Sequence, residues 1–208
     1  MVIVSLDLLS LDKTFEFLGQ LLGKQAEGKV CADFIRSVYK DVSVIKQGKK
    51  TAGTAYFAND ENGLRTAPRG SKHAQLFDVM GVTNAAYAPL DAKGFSIVSM
   101  EQVMVANPDY IFCIGKAGSS PYRTVMKSPL WKNIAGVRNK RVYNVPGEPY
   151  LWIDMPPSVN RILGMIWFSE IFYQQPSGTT KSKVRDFYRI FYHYSLSDKD
   201  YDALFRWQ

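Results

Sequence analysis

The stretch LWIDMPPSVNRILGMIWFSEIFY, from Leu151 to Tyr173, is densely apolar and aromatic, yet it carries Asp154, Arg161 and Glu170. A helix that crosses a bilayer needs about 18 or more consecutive apolar residues with few or no charges. Its apolar part, from Val159 to Tyr173, is too short and too charged, and no other segment of the chain qualifies. It reads instead as a long apolar helix buried inside an α/β domain. Pro156 and Pro157 suit its first turn, where missing N–H groups cost little. Asp154 then stands near the helix N-terminus, where the dipole favours a carboxylate. The other reading of Asp154 is a carboxylate pair with Glu148.

The rest of the chain fits around that helix. Val2–Leu6 is a short β-branched run and reads as a buried strand. From Ser10, a plausible N-cap, helical periodicity persists to Ile45. Phe15, Leu18, Leu21 and Leu22 share one face, and Val30, Phe34, Ile35 and Val38 another. Gly23 marks either a break or a close packing contact. A helix this long suggests a spine between two bodies. TAGTAYFA (51–58) reads as a strand and DENGLRTAPRGS as a polar loop. Ser71 caps a helix that Gly81 stops, and Ser99 caps another with Glu101 or Gln102 in its first turn. DYIFCIG and KRVYNVP read as strands, and the C-terminal region gives two closing helices with Ser197 as a cap. Strands separated by helices imply an α/β fold: a Rossmann-like lobe with a mostly parallel sheet flanked by helices, preceded by a long linker helix.

Composition narrows the function. The 208 residues suit one domain or slightly more, and the hydrophobic share of 46% is ordinary for a globular chain. The formal charge of +7 favours anionic partners. The charges are scattered, and the densest cluster, Lys46–Lys50, reads as a solvated turn. No pattern of aromatics over a basic groove points to nucleic acid. Cys31 and Cys113 lack any zinc spacing and read as buried thiols, with a disulfide left open. Met1 is followed directly by a strand-like run rather than by a leader peptide, which taken plainly implies cytoplasm.

In open α/β sheets, ligands bind at the carboxyl ends of strands, beside helix N-termini. The loops there carry Asp60, Glu61, Asn62, Arg65, Arg69 and Ser71 after the first strand, and Lys116, Ser119, Ser120, Tyr122 and Arg123 after YIFCIG. Glu148, Tyr150, Trp152 and Asp154 follow RVYNV. Guanidinium groups match planar anions through paired hydrogen bonds, and Tyr and Trp offer flat apolar faces with a polar edge. The candidate ligand-binding residues are Arg65, Arg69, Ser71, Arg123, Tyr150 and Trp152. Catalytic patterns are missing: there is no GxSxG, HExxH, P-loop or GxGxxG. Of the two histidines, only His73 falls near this cleft, and His193 lies in an aromatic helix face.

LDKTFEFLGQLLGKQAEG (11–28), VSMEQVMVANPDYIFCIG (98–115), SPLWKNIAGVRNKRVYNVP (128–146), WIDMPPSVNRILGMIWFSEIFY (152–173) and FYRIFYHYSLSDKDYDALF (187–205) resemble, in this order, segments of the periplasmic substrate-binding proteins of ABC importers for iron–siderophore, haem, cobalamin and molybdate. The resemblance covers nearly the whole chain. It implies two α/β lobes joined by one rigid helix, with the ligand held between them and delivered to a permease. On that pattern residues 1–8 are the remnant last strand of an N-terminal lobe, 9–47 the inter-lobe helix and 48–208 the C-terminal lobe. A leader would be lost with the N-terminus, and the parent protein would be periplasmic. Membrane contact would come only through the permease or through an anchor in the missing part. The resemblance implies no catalysis and no cofactor, and a ligand that is a ferric siderophore, haem, cobalamin or molybdate. The family's permease-docking Glu has no evident counterpart around Trp131–Asn133. The alternatives are a soluble α/β enzyme using His73, or a non-catalytic interaction domain.

Overall fold

A computed structural model describes residues 7–47, 49, 53–115 and 120–205. The expected strand at Val2–Leu6 and the loop residues Lys116 and Ser119 lie outside the described residues. The chain from Leu11 begins with two helices, α1 (Leu11–Leu21) and α2 (Gln25–Lys46). The expectation of one continuous helix over 9–47 is thereby corrected. Gly23 adopts φ +68°, a left-handed conformation that ends α1 and lets the chain reverse. The two helices then meet through glycines. A β-carbon on Gly28 would stand 2.8 Å from the Gly19 Cα, so neither position has room for a side chain. Arg36 of α2 closes the hairpin with Asp12 at 3.0 Å and Glu16 at 2.8 Å.

Four strands, β1 (Thr54–Ala58), β3 (Thr83–Asn84), β5 (Tyr110–Cys113) and β6 (Val142–Asn144), form a parallel sheet in the order β3-β1-β5-β6. A separate antiparallel pair, β2 (Arg65–Thr66) and β4 (Ser96–Ile97), lies beyond β1 in sequence. The sheet is buried on both faces, as parallel sheets are. Strand alternation sorts its side chains into two cores. Ala55, Phe57, Tyr110 and Phe112 join one, and Tyr56, Ala58, Ile111 and Cys113 the other. The second core is closed by Trp131, by Val125 of α5 (Tyr122–Lys127), and by Met100 and Val103 of α4 (Met100–Ala106). The short α6 (Ala135–Arg138) leads into β6.

The first core is built on aromatic stacking. Phe57 lies 4.0 Å from Phe77 of α3 (Gln75–Met80), and Phe77 lies 5.8 Å from Phe168 of α7 (Arg161–Tyr173). Helix α7 is the apolar helix expected from the sequence, and nearly all of its residues are buried. It lies between the sheet side and α2, α3 and α8 (Ser177–Tyr192). Its start differs from expectation: α7 begins at Arg161, and Pro156 and Pro157 belong to the preceding loop, where Met155 at φ +68° cannot be helical. Among the described residues no helix is long and apolar enough to cross a membrane.

The expected caps at Ser71, Ser99 and Ser197 form, whereas Ser10 precedes α1 without a side-chain cap hydrogen bond. Ser99 and Gln102 make a reciprocal capping box on α4, and Ser197 and Asp200 make one on α9 (Asp198–Leu204). Ser71 caps a 3-10 turn that runs into α3, and Gly81 ends α3 at φ +68°. The basic cluster is more than a solvated turn. The Lys46 ammonium donates to the Val79 carbonyl at 2.6 Å and Lys49 to the Tyr173 carbonyl at 3.0 Å. Both carbonyls belong to the last turns of helices, where a cation is favoured. Cys31 and Cys113 are free thiols; Cys113 is fully buried and Cys31 partly so.

Candidate functional site

The carboxyl ends of β1, β5 and β6 open toward one side of the sheet. Asn59, directly after β1, is buried and points its amide at the Met155 sulfur, 3.6 Å away. Asn144, the last residue of β6, accepts from the Ser120 hydroxyl through its side-chain oxygen. A pocket of about 350 Å³ lies beside these ends, lined among others by Gly115, Asn144, Glu148, Tyr150, Met155 and Leu204.

The loop on this pocket is held from behind. Asn160, fully buried, donates from its amide to the Tyr150 carbonyl at 2.9 Å and accepts from the Tyr192 hydroxyl at 2.5 Å. The Tyr188 hydroxyl donates to the Glu148 carbonyl. Two tyrosines of α8 thus anchor the loop, one of them through Asn160, while the Tyr150 ring stays half exposed at 51%. Burial raises the phenol of Tyr188, and of Tyr192 more mildly, so both remain hydroxyl donors at neutral pH.

A second cavity, of about 560 Å³, is lined among others by Asp7, Ser71, Lys72, His73, Gln75 and Arg161. Gln75 accepts from the Arg161 guanidinium at 3.1 Å and from the Leu8 amide at 3.2 Å, and donates to Asp7 at 2.8 Å. Arg161 and Asp154 are both buried. Burial pushes the Asp154 carboxyl up from the usual carboxylate range, and the nearby His73 and Arg161 partly offset it. Burial likewise lowers Arg161, with Asp154 and Asp7 opposing. Asp154 is therefore a buried partner of His73, at 2.5 Å, rather than a dipole-stabilised carboxylate on the helix. The imagined pair with Glu148 does not form: Glu148 lines the other pocket.

The six candidate ligand residues do not converge on one cavity. Tyr150 lines the smaller pocket and Ser71 the larger. Arg65 lies 4.4 Å over the Phe95 ring and 3.9 Å from Asp60. The Arg69 guanidinium donates to the Asn84 carbonyl at 2.7 Å and so secures the edge strand β3. Arg123 is exposed on α5. Trp152 is the clear correction: it is 0% exposed, packed edge-on to Trp167 at 6.3 Å and Phe205 at 5.7 Å. An apolar core claims the ring, leaving no face for a ligand. Residue type and loop position could not distinguish it from Tyr150 two residues earlier. Asn160 and Gln75, which organise the two cavities, were not singled out by sequence; an Asn just before an apolar helix was the available signal. Among the described residues, no group of three or more His, Cys, Asp or Glu could hold a metal ion.

Residues 2–149 match a family model described as periplasmic binding protein. The Fe(3+)-citrate-binding protein YfmC of Bacillus subtilis (strain 168) is 23% identical over 137 residues, which make up 66% of this chain and 42% of that protein. An ABC transporter solute binding protein from Sulfurospirillum deleyianum superposes with a TM-score of 0.84 at 27% identity, covering 97% of this chain and 62% of that one. A periplasmic solute binding protein from Veillonella parvula superposes with a TM-score of 0.72 at 24% identity, covering 95% of this chain and 60% of that one. The chain spans less than two thirds of the length of each of these proteins.

Proposed function

The chain belongs to the periplasmic binding protein family, and from that premise we propose that it captures an iron chelate, or a related metal complex or oxyanion, for an ABC importer. The name of the curated relative, a ferric citrate binder, supports the iron-chelate reading. The ligand class extends to ferric siderophores, haem, cobalamin and molybdate. Delivery would be to an ABC permease, and the place of action the periplasm. The family is one of binding proteins, and the site agrees with binding rather than turnover. His73, the histidine nearest the cleft, already has both ring nitrogens engaged, by Asp154 and by the Lys93 carbonyl.

One observation carries the reading most directly. The loop that presents Tyr150 at the strand ends is fixed from behind by the protein's own Asn160, Tyr188 and Tyr192. Fixing a contact loop in advance lowers the ordering cost of binding. A metal complex would be held here through its chelate shell, with Tyr150, Asn144 and the neighbouring backbone as contacts.

Calorimetry on the folded chain with ferric citrate, a ferric hydroxamate siderophore, haem, cobalamin and molybdate tests the reading. We expect saturable, stoichiometric binding of one of these, weakened at least tenfold by Tyr150→Ala. Absence of binding by a folded chain to every probe overturns it. So does binding indifferent to Tyr150→Ala, which moves the site elsewhere.

A further inference from the structure

The imidazole of His73 sits between two acceptors. Its Nδ1 is 2.5 Å from Asp154 Oδ2, and its Nε2 is 2.9 Å from the Lys93 carbonyl. A neutral imidazole carries one N–H and cannot donate at both nitrogens. Holding both contacts therefore takes two protons in the pair: two on the ring facing a carboxylate, or one on the ring and one on Asp154. We propose that His73 and Asp154 form a proton-dependent clamp that ties the Asp91–Gly94 turn to the loop before α7 and releases that turn when the pair loses one proton.

The geometry decides which tie is lost. After deprotonation the single ring proton stays on Nδ1, because a bare Nδ1 lone pair would face a buried carboxylate oxygen at hydrogen-bond distance. Asp154 is 2% exposed, and its other oxygen, Oδ1, has no hydrogen-bond partner among the described residues. A bare Nδ1 would cost this buried carboxylate its contact with His73, with no water to replace it. The Lys93 carbonyl belongs to an exposed turn, where water replaces the imidazole cheaply. In either starting protonation state, the same nitrogen, Nε2, gives up its hydrogen bond.

The turn is built close against the ring. Phe95 stacks on His73 at 4.3 Å and 23°, and a β-carbon on Gly94 would stand 3.1 Å from the His73 Cδ2. The Ser71 hydroxyl donates to the Gly94 carbonyl at 2.6 Å, so one anchor remains when His73 lets go. His73 and Ser71, the two side chains that hold the turn, both line the 560 Å³ cavity.

Charged groups reach the pair from every side. Asp154 comes from the loop before α7 and Arg161 from α7 itself. Asp7, Lys72 and Asp78 line the same cavity. Arg65 of β2 lies on the Phe95 ring, and Asp91 and Lys93 belong to the turn.

The test is a pH titration of the 15N-labelled full chain, following the ring nitrogens by long-range proton–nitrogen correlation, with His193→Gln to assign the two histidines. We expect His73 Nε2 to pass from protonated to bare and Nδ1 to carry the ring proton after the transition. We also expect amide exchange of Gly94 and Phe95 to rise at least tenfold through the same midpoint. In Asp154→Asn the amide can donate to a bare Nδ1, so a neutral ring keeps both contacts and turn exchange should no longer follow the ring. A bare Nδ1 after the transition, titration of Nε2 without a change in turn exchange, or a ring that never titrates would each overturn the clamp. Turn exchange that still follows the ring in a folded Asp154→Asn would do so as well. Should that variant fail to fold, the wild-type titration and exchange decide alone.

Discussion

The backbone carbonyl of Trp152 stands 2.4 Å from where a β-carbon on Gly164 would sit, so the loop carrying Tyr150 and the central helix α7 are in direct backbone contact. The same β-carbon would meet the Leu76 Cδ2 of α3 at 2.7 Å. Neither neighbour is the far end of a flexible polar chain. Gly164→Ala therefore overpacks the junction of α3, α7 and the loop, at about 1–3 kcal/mol. Urea unfolding should show the lower midpoint, and the displaced loop should also weaken ligand binding. An unchanged midpoint would mean that the loop yields freely, against the rigid presentation of Tyr150.

Tyr150 and Trp152 should behave as opposites despite their proximity. Tyr150→Ala removes a half-exposed ring whose backbone carbonyl, not its side chain, is used by Asn160. Stability should change by no more than about 0.5 kcal/mol. Trp152→Ala empties a buried site between Trp167 and Phe205 and should cost about 3–5 kcal/mol. Paired unfolding curves separate the two. A strongly destabilised Tyr150→Ala would contradict the exposure of that ring.

The turn between α1 and α2 offers two glycines that fail for different reasons. Gly23 has nothing within 4 Å of an added β-carbon, so Gly23→Ala meets only the cost of φ +68°, about 1–2 kcal/mol. Gly19→Ala keeps a helical backbone but would place its β-carbon 2.9 Å from the Lys24 carbonyl and 3.0 Å from the Gly28 Cα. It should push the helices apart and cost more than Gly23→Ala. Thermal unfolding by circular dichroism ranks them, and the reverse order would mean that the hairpin is loosely packed.

Much of this fold was legible because its signals are local. Capping residues such as Ser99 and Ser197 act within one turn, and the apolar runs of β5 and α7 announce burial without reference to neighbours. The break at Gly23 was ambiguous because the helical periods on either side of it both continue. Only the tertiary meeting of Gly19 with Gly28 decides for a hairpin. The short strands β2, β3 and β4 have two residues each and leave no period to read. The site was harder still. Asp154 and His73 are 81 positions apart, and no pattern joins them before the chain folds. Arg69 and Trp152 have residue types suited to a ligand, but a strand-edge carbonyl and an aromatic core engage them first.

Asp154 should also leave a mark on the pH dependence of stability. Burial raises its carboxyl in the folded chain above the usual value of 3.8. Between those two values the folded state binds the proton that the unfolded state has released. Stability from this group is therefore fully present below the unfolded value and is lost as pH rises through the folded one. Asp198 and Asp200 have the opposite sign. An ion pair with Lys181 and Arg185, and the cap at Ser197, hold them below the usual range, so their contribution is lost as pH falls. Asp154→Asn removes the term that declines with rising pH and leaves the others. Urea midpoints measured from about pH 4 upward should fall less steeply in the variant than in the wild type. Parallel curves would show that Asp154 is ionised throughout and that burial does not govern its carboxyl.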